Sequence, residues 1–335
     1  MTDRSPARPP FIVVHGDLAR AAAPADHALD GGVLAIGNFE GVHRGHRAVI
    51  NVALARGREL TRKTAVLTFE PHPRAVFRPD EPVFRLSDET AKLRLLASTG
   101  LDGVIVMRFD AALAALPAED FVRKILIERF AVAGVVVGFD FHFGKGRAGS
   151  PAFLAAAGHA HGFTVDIVPA FADDGLRISS GAVRAALAAG EVEAAAAMLG
   201  YPWFVTGTVV HGDKRGRDLG FPTANLRLDP ACGLKHGIYA VRVGLGGRRY
   251  DGVANFGRRP MFDTGVVLLE VFLFDFSGDL YGAALDVAFV AWIRPELHFA
   301  SHDELIRRMD EDSRLARVAL MRAGDVLPPL GDVPG

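Results

Sequence analysis

Cysteine is nearly missing from this chain: Cys232 is the only one in 335 residues. That excludes an intramolecular disulfide and any cysteine-based metal cluster. It suits a reducing compartment, with Cys232 as a small buried apolar side chain. Neither sign of charge is in excess. Lys and Arg total 38, Asp and Glu 39, for a net charge of −1, so no global field recruits nucleic acid or an anionic membrane. No stretch has the roughly 18 nearly uncharged apolar residues of a membrane span. The nearest, Ala148–Val165, is interrupted by Pro151, two His and several Gly. The first thirty residues show no basic segment followed by an apolar one, so no signal peptide is expected. Disorder is excluded too, because 50% of the residues are hydrophobic and 23% charged. The length suggests two domains at ~150 residues each. The expectation is a cytoplasmic protein without a membrane segment.

Up to about residue 200, apolar runs alternate with helical patterns. Strands are expected at Val33–Ile36, Thr64–Phe69, Gly103–Met107, Ala133–Gly138 and Phe163–Val168. Helices are expected at His46–Arg58, Ser87–Ser98 and Ala118–Phe130, with another starting at Ser150-Pro151. Strands alternating with helices imply βαβ units and a parallel sheet. Ser180–Leu199 is Ala-rich and helical, interrupted at Gly190, with Ser180 as its expected cap. Beyond Tyr201-Pro202 the pattern changes to short β runs: Phe204–Val210, Ile238–Gly244, Arg249–Phe256, Val267–Asp275 and Leu285–Trp292. That spacing suggests an antiparallel barrel. Ser301–Arg322 closes the pattern as an amphipathic helix capped by Ser301. The domain expectation is residues 1–187, a helical linker at 188–202, a second domain at 203–325 and a tail at 326–335.

Two segments carry chemistry. The first, Gly37-Asn38-Phe39-Glu40-Gly41-Val42-His43-Arg44-Gly45-His46, joins the first expected strand to the first helix. Ligands of parallel α/β sheets bind at the carboxyl ends of strands, where helix N-termini offer free N–H groups to phosphate. Gly37, Gly41 and Gly45 allow close backbone approach. His43 and His46, three residues apart, can share a helix face and donate to phosphate oxygens. The alternative is a merely structural Gly/His turn. The second segment runs from His211 to Asn225 and is Gly-rich and basic at its start. Gly212, Lys214, Gly216, Arg217 and Gly220 can cradle phosphates. Thr223 and Asn225 offer neutral oxygens to Mg²⁺ while nucleotide phosphates supply its negative ligands. The plain alternative for Lys214–Arg217 is a solvated basic turn. Glu270 stands out separately, as the one carboxylate in the apolar run Val266–Phe274. It could take a proton from an attacking alcohol, or pair with Arg258 or Arg294.

These segments resemble a known family. The first resembles the nucleotidyltransferase superfamily. Further segments match in order: Phe69-Glu70-Pro71-His72-Pro73, Gly138-Phe139-Asp140-Phe141-His142-Phe143-Gly144-Lys145-Gly146 and Ile178-Ser179-Ser180-Gly181-Ala182-Val183-Arg184. Gly220-Phe221-Pro222-Thr223-Ala224-Asn225 resembles the riboflavin kinase motif. It is followed by His236–Tyr239, Gly252–Gly257, Leu269–Val271 and Asp279–Gly282. Together they resemble the bacterial bifunctional riboflavin kinase/FMN adenylyltransferase (FAD synthetase) family over roughly residues 30–325.

The resemblance implies a Rossmann-like nucleotidyltransferase domain with a parallel sheet, then an antiparallel β-barrel riboflavin kinase domain with a terminal helix. It implies phosphorylation of riboflavin to FMN and adenylylation of FMN to FAD, with ATP and Mg²⁺. It places ATP against Phe39, Ser179, Ser180, Arg184 and Pro222 besides the glycines and basic residues above. His43 and His46 would act at the ATP α-phosphate, and Glu270 as base for the ribityl 5′-hydroxyl. Flavin contacts would come from Glu70, Pro71, His72, Asp140, Phe141, Asn255 and Arg294. Small molecules would be the partners, with no nucleic acid and no membrane, and self-association is compatible with the sequence. Three positions depart from the pattern: Glu40 replaces Asp, Gly181 replaces Thr, and Met261 replaces a Thr after Pro. The alternatives are a riboflavin kinase with an impaired adenylyltransferase domain, a flavin-binding regulatory protein, and a nucleotidyltransferase for another phosphorylated acceptor.

Overall fold

The computed structural model describes residues 9–18, 28–173, 176–211, 223–258 and 267–334. Their contacts define two units. One contains the described residues up to Val83, Ser87–Ile178 and those from Pro329 onward. The other contains Phe84–Leu86 and Ser179–Pro328.

The first unit is built on a six-stranded, wholly parallel sheet. Its strands are β1 (Ile12–Gly16), β2 (Val33–Ile36), β3 (Thr64–Glu70), β4 (Gly103–Arg108), β5 (Gly134–Gly138) and β6 (Thr164–Val168), in the spatial order β1-β4-β3-β2-β5-β6. β2 is buried along its whole length and β3 along nearly all of it, as expected for strands covered on both faces. The helices are α1 (Arg44–Leu60), α2 (Pro73–Phe77), α3 (Glu89–Ala97), α4 (Ala111–Ala114), α5 (Ala118–Asp120) and α6 (Pro151–His161). α1 buries Val49, Ile50, Ala53 and Gly57, one helical stripe against the sheet. α6 begins as expected, with Ser150 Oγ accepting from Phe153 N and Pro151 following. A two-stranded ribbon, β7 (Ala172–Asp173) with β8 (Leu176–Arg177), closes the unit.

Four local expectations need correction. The helix expected over Ala118–Phe130 continues from α5 as a π-helix, Phe121–Arg129. Its wider turns carry Phe121, Val122, Ile125 and Leu126 into the core. α3 begins two residues later than expected, capped by Asp88, whose carboxylate accepts from Ala91 N. Strand β1 was not expected, since its run is short and its partner β4 is distant in sequence. The cap of α7 (Ser180–Ala189) is Ser179, in extended conformation with Oγ 3.2 Å from Ala182 N; Ser180 is already helical.

The second unit starts with α7 and α8 (Val192–Leu199), which bury Val183, Leu187, Val192 and Leu199. Next comes a closed antiparallel barrel of β9 (Phe204–Val210), β10 (Ala224–Leu228), β11 (Gly237–Leu245), β12 (Arg248–Arg258), β13 (Val267–Leu273) and β14 (Ala284–Arg294). Around the barrel the order is β10-β13-β12-β11-β14-β9. β10 is not expected from the sequence, because its first two residues belong to the Gly-rich motif that ends at Asn225 and the run is short. Along β13, Val267, Leu269, Val271 and Leu273 are buried and alternate with partly exposed residues, so one face lines the barrel core. α9 (His302–Arg322), capped by Ser301 as expected, lays Ala316 and Leu320 against Ala240, Phe274 and Val290. No helix among the described residues is long and apolar enough to cross a membrane.

Candidate active sites

In the first unit the chain passes from β2 to β3 on one side of the sheet and from β4 to β5 on the other. The carboxyl ends of neighbouring strands β2 and β5 therefore flank a topological switch point, the usual ligand crevice of such sheets. The segment Gly37–His43 leaves β2 there and delivers α1. Its backbone is forced: Phe39 (φ 47°), Gly41 (φ 69°) and Val42 (φ 37°) are all left-handed. For Phe39 and Val42 that conformation costs on the order of 1–3 kcal/mol each. It is held because Phe39 is 1% exposed and Val42 not at all. Gly41 donates its N–H to Ser87 Oγ at 2.9 Å.

His43 caps α1, its Nδ1 accepting from His46 N at 3.2 Å. The two imidazoles stack, centroids 3.6 Å apart and planes 16° from parallel, and Phe39 lies 5.2 Å from the His46 ring. A Cβ on Gly45 would come within 3.1 Å of the His43 ring, so a glycine there leaves room for the stack. Burial drives the His43 pKa down to about 4, opposed by a backbone hydrogen bond and then by the charge of Asp140. His46 is lowered well below 6.5, by burial first and then by the charges of His43 and Lys92. Both rings are neutral at pH 7. Since Nδ1 of His43 accepts a hydrogen bond, its proton sits on Nε2. An edge of His46 meets solvent, but its Nδ1 is sealed and has no partner among the described residues.

Around the pair, Glu40 is 2% exposed and its carboxylate lies 3.6 Å from His72 Nε2, while His72 Nδ1 caps α2 through Arg74 N. Glu70, expected at the flavin, pairs with buried Lys92 at 2.5 Å. Pro71 follows it across a cis peptide. In the loop after β5, Asp140 is exposed, and Phe141 stacks on Phe143 at 5.4 Å. Ile178 closes this unit, its carbonyl 3.7 Å from the position of a Gly45 Cβ. Gly37 follows β2 directly, its Cα side against the Phe39 ring.

In the second unit, the pairing register sets Asn225 of β10, Glu270 of β13 and Asn255 of β12 directly opposite one another. Residues paired in this way share one face of the sheet. Their chain neighbours Leu226, Leu269 and Phe256 are fully buried in the barrel core, so the polar row is on the outer wall. Oδ1 of Asn225 and Oδ1 of Asn255 are both sealed from solvent without a partner among the described residues. Asn225 Nδ2 donates to Thr223 O at 3.4 Å. Neutral oxygens beside a carboxylate fit a hard divalent cation such as Mg²⁺. Gly212, Lys214, Gly216, Arg217, Gly220 and Pro222 lie outside the described residues, as does Met261.

The other expected contacts are placed as follows. Arg294 is buried and sends Nε and Nη2 to Asp312 at 2.7 and 2.5 Å and Nη1 to Pro295 O, so it clamps α9 to the barrel. The alternative pairing of Glu270 with Arg294 is thereby removed. Ser179 and Ser180 start α7, and Arg184 donates from Nε to Phe84 O at 2.6 Å. A Cβ on Gly181 would meet only Ser179 Oγ, at 3.8 Å, so crowding does not explain the glycine. Sequence reasoning passed over Lys92 and Thr68. The signal for Lys92 was a charge on the apolar stripe that also holds Leu95 and Leu96.

A parallel sheet presenting two neutral imidazoles at its switch point, in one chain with a closed barrel bearing a carboxylate among neutral oxygens, defines a two-site phosphate-transferring enzyme. Comparison with known proteins gives the particular kind. The FAD synthetase family model matches residues 25–182 and the riboflavin kinase model residues 199–320. The bifunctional riboflavin kinase/FMN adenylyltransferase of Escherichia coli (strain K12) is 44% identical over 289 residues, 86% of this chain and 92% of that protein. The protein of the same name from Haemophilus influenzae is 40% identical over 301 residues, 90% and 98% of the two chains. A solved structure described as a macrolide-efflux protein from Streptococcus pneumoniae superposes with a TM-score of 0.81 at 30% identity, covering 92% of this chain and 99% of that one. The chain belongs to the bifunctional riboflavin kinase/FMN adenylyltransferase family.

Proposed function

We propose that this enzyme phosphorylates riboflavin at the barrel and adenylylates the resulting FMN at the parallel sheet. The functional partition follows the sequence: adenylyltransferase over residues 1–187, a helical linker over 188–202 and kinase over 203–325. At the barrel, Glu270 accepts the proton of the ribityl 5′-hydroxyl as its oxygen attacks the ATP γ-phosphorus, and ADP leaves. Thr223 and Asn225 would hold Mg²⁺, which supplies charge screening on the ATP phosphates. Asn255, across the strand pair from Glu270, faces the same substrates.

At the sheet, a phosphate oxygen of FMN attacks the α-phosphorus of a second ATP. Pyrophosphate leaves, and no proton transfer is required for balance. His43 and His46 donate to the α-phosphate oxygens as charge concentrates there, and the positive end of α1 adds to the same field. Asp140 and Phe141, in the loop after β5, flank the flavin side. Cytoplasmic location fits the ATP demand and the lone cysteine, whose thiol burial pushes up to about 11.

The observation that carries the two-activity reading is the buried, stacked, neutral histidine pair, which a kinase acting alone has no use for. Both family models match, and nothing favours the kinase-only alternative. The test is incubation of the purified protein with riboflavin and Mg-ATP, followed by chromatographic separation of FMN and FAD. Both products are expected. FMN alone would reduce the protein to a kinase, and neither product would make it a flavin binder.

A further inference from the structure

Lys92 occupies a place where the fold calls for an apolar side chain. It lies on α3 among Ala91, Leu95 and Leu96 and is 2% exposed. Its Nζ is 2.5 Å from Glu70 Oε1, 3.3 Å from Thr68 Oγ1 and 3.4 Å from Phe69 O. Thr68 is fully buried, and its hydroxyl donates onward to Asn38 O at 3.0 Å. Asn38 belongs to the strained segment between β2 and His43. Ser87, just before α3, holds the same segment through Gly41 N. A buried ion pair is seldom more stabilising than apolar side chains of the same volume, so stability alone is a poor reason for this one. Its link to the segment that carries the histidines, and its electrostatic effect on His46, suggest a functional reason.

We propose that Lys92 is a positioning residue for adenylyl transfer: through Thr68 it fixes the segment that presents His43 and His46, and its ammonium supplies a fixed positive charge that acts on His46. The inference rests on the adenylyltransferase reading of that site. The charge of Lys92 helps keep His46 neutral, after burial and His43. The other titratable groups around the pair are Glu70 on Lys92, Asp140 acting on His43, and Glu40 with His72. A neutral imidazole keeps one N–H for the ATP phosphates, whereas protonation would put a second proton on a ring whose buried Nδ1 has no partner among the described residues. Glu70 limits the ammonium's mobility, so the charge stays in place and does not pair with substrate.

The test compares the full-length parent with Lys92→Met, which keeps the stem and removes the charge, and with Thr68→Val, which keeps the shape and removes the link to Asn38. Adenylylation of supplied FMN is measured from pH 4 to 9, with riboflavin phosphorylation and thermal unfolding on the same samples. Folded Lys92→Met is expected to lose at least tenfold in kcat with ATP KM changed by less than threefold, and to keep its kinase rate. The acid limb of its adenylylation profile should move up by half a pH unit or more, because removing a nearby cation raises the His46 pKa. Thr68→Val is expected to lose kcat several-fold without that shift, since the charge remains. A folded Lys92→Met with parental kcat and an unchanged profile would make Lys92 structural only. Should Lys92→Met not fold, Thr68→Val with parental kcat would overturn the proposal. A parent protein that makes no FAD from FMN would instead defeat the reading beneath it.

Discussion

At the residue scale, the proposed adenylyl transfer rests on the two histidines. Removing one donor that stabilises charge in a transition state typically costs about 10²–10³ in rate. His46→Ala should lower FAD formation from FMN by that factor and leave riboflavin phosphorylation unchanged, measured as initial rates on one preparation. The pair also has a stability signature. For His43 the folded pKa of about 4 lies below the unfolded value near 6.5, so protons favour the unfolded chain. Its contribution is full above pH 6.5 and lost as pH falls towards 4, on the order of 3 kcal/mol in all. Urea unfolding of the first unit should therefore weaken over that window in the parent and weaken less in His43→Asn. The histidines were legible because polar residues in a Gly-rich strand–helix turn have few structural uses. Lys92 was not, because a lysine on an amphipathic helix is ordinarily on the solvated face, and only packing shows which face is buried. Arg294 was legible as important but not as a clamp, since its partner Asp312 is on an element that the sequence does not place.

At the element scale, local patterning fixed most of the secondary structure. Val33–Ile36 and Phe204–Val210 form as read, and caps at Ser150 and Ser301 hold. What escaped were elements whose stability comes from distant pairing, such as β1 on β4, and β10 between β13 and β9. The same cause hid the Asn225–Glu270–Asn255 row: motif spacing names the residues, but only strand register sets them side by side. Ser179 offers a test at this scale. Loss of an N-cap hydroxyl costs about 1 kcal/mol. Ser179→Ala should speed hydrogen exchange at Ala182 and its neighbours in α7 and leave the barrel amides unaffected. Unchanged exchange at Ala182 would mean that the cap is not made in solution. On the outer wall of the barrel, Asn225→Ala should raise the Mg²⁺ concentration needed for half-maximal kinase rate, because it deletes an oxygen that has no partner among the described residues. A kinase Mg²⁺ titration that superposes on the parent's would remove Asn225 from the metal site.

At the scale of the whole molecule, two folding units carry the two sets of polar residues, although Ser179, Ser180 and Arg184, expected at the adenylyltransferase ATP, fall in the second. The histidines, with Lys92, belong to the first unit, and Glu270 with its flanking asparagines to the second. The change in sequence texture near residue 200 implies two units, but the contacts divide the chain between Ile178 and Ser179, so α7 and α8 belong with the barrel. It could not announce that Phe84–Leu86 packs with the second unit, where Leu86 O accepts from the buried Trp203 indole at 2.8 Å. The central claim is that each unit performs one step of a sequence, and full-length His46→Ala and Glu270→Gln test it most directly. Each is given Mg-ATP with either riboflavin or FMN, and products are separated by chromatography. His46→Ala should convert riboflavin to FMN at the parental rate and stop there. Glu270→Gln should leave riboflavin unconverted, because its amide accepts no proton, yet turn supplied FMN into FAD. Either folded variant losing both conversions together would contradict the assignment of one reaction to each unit.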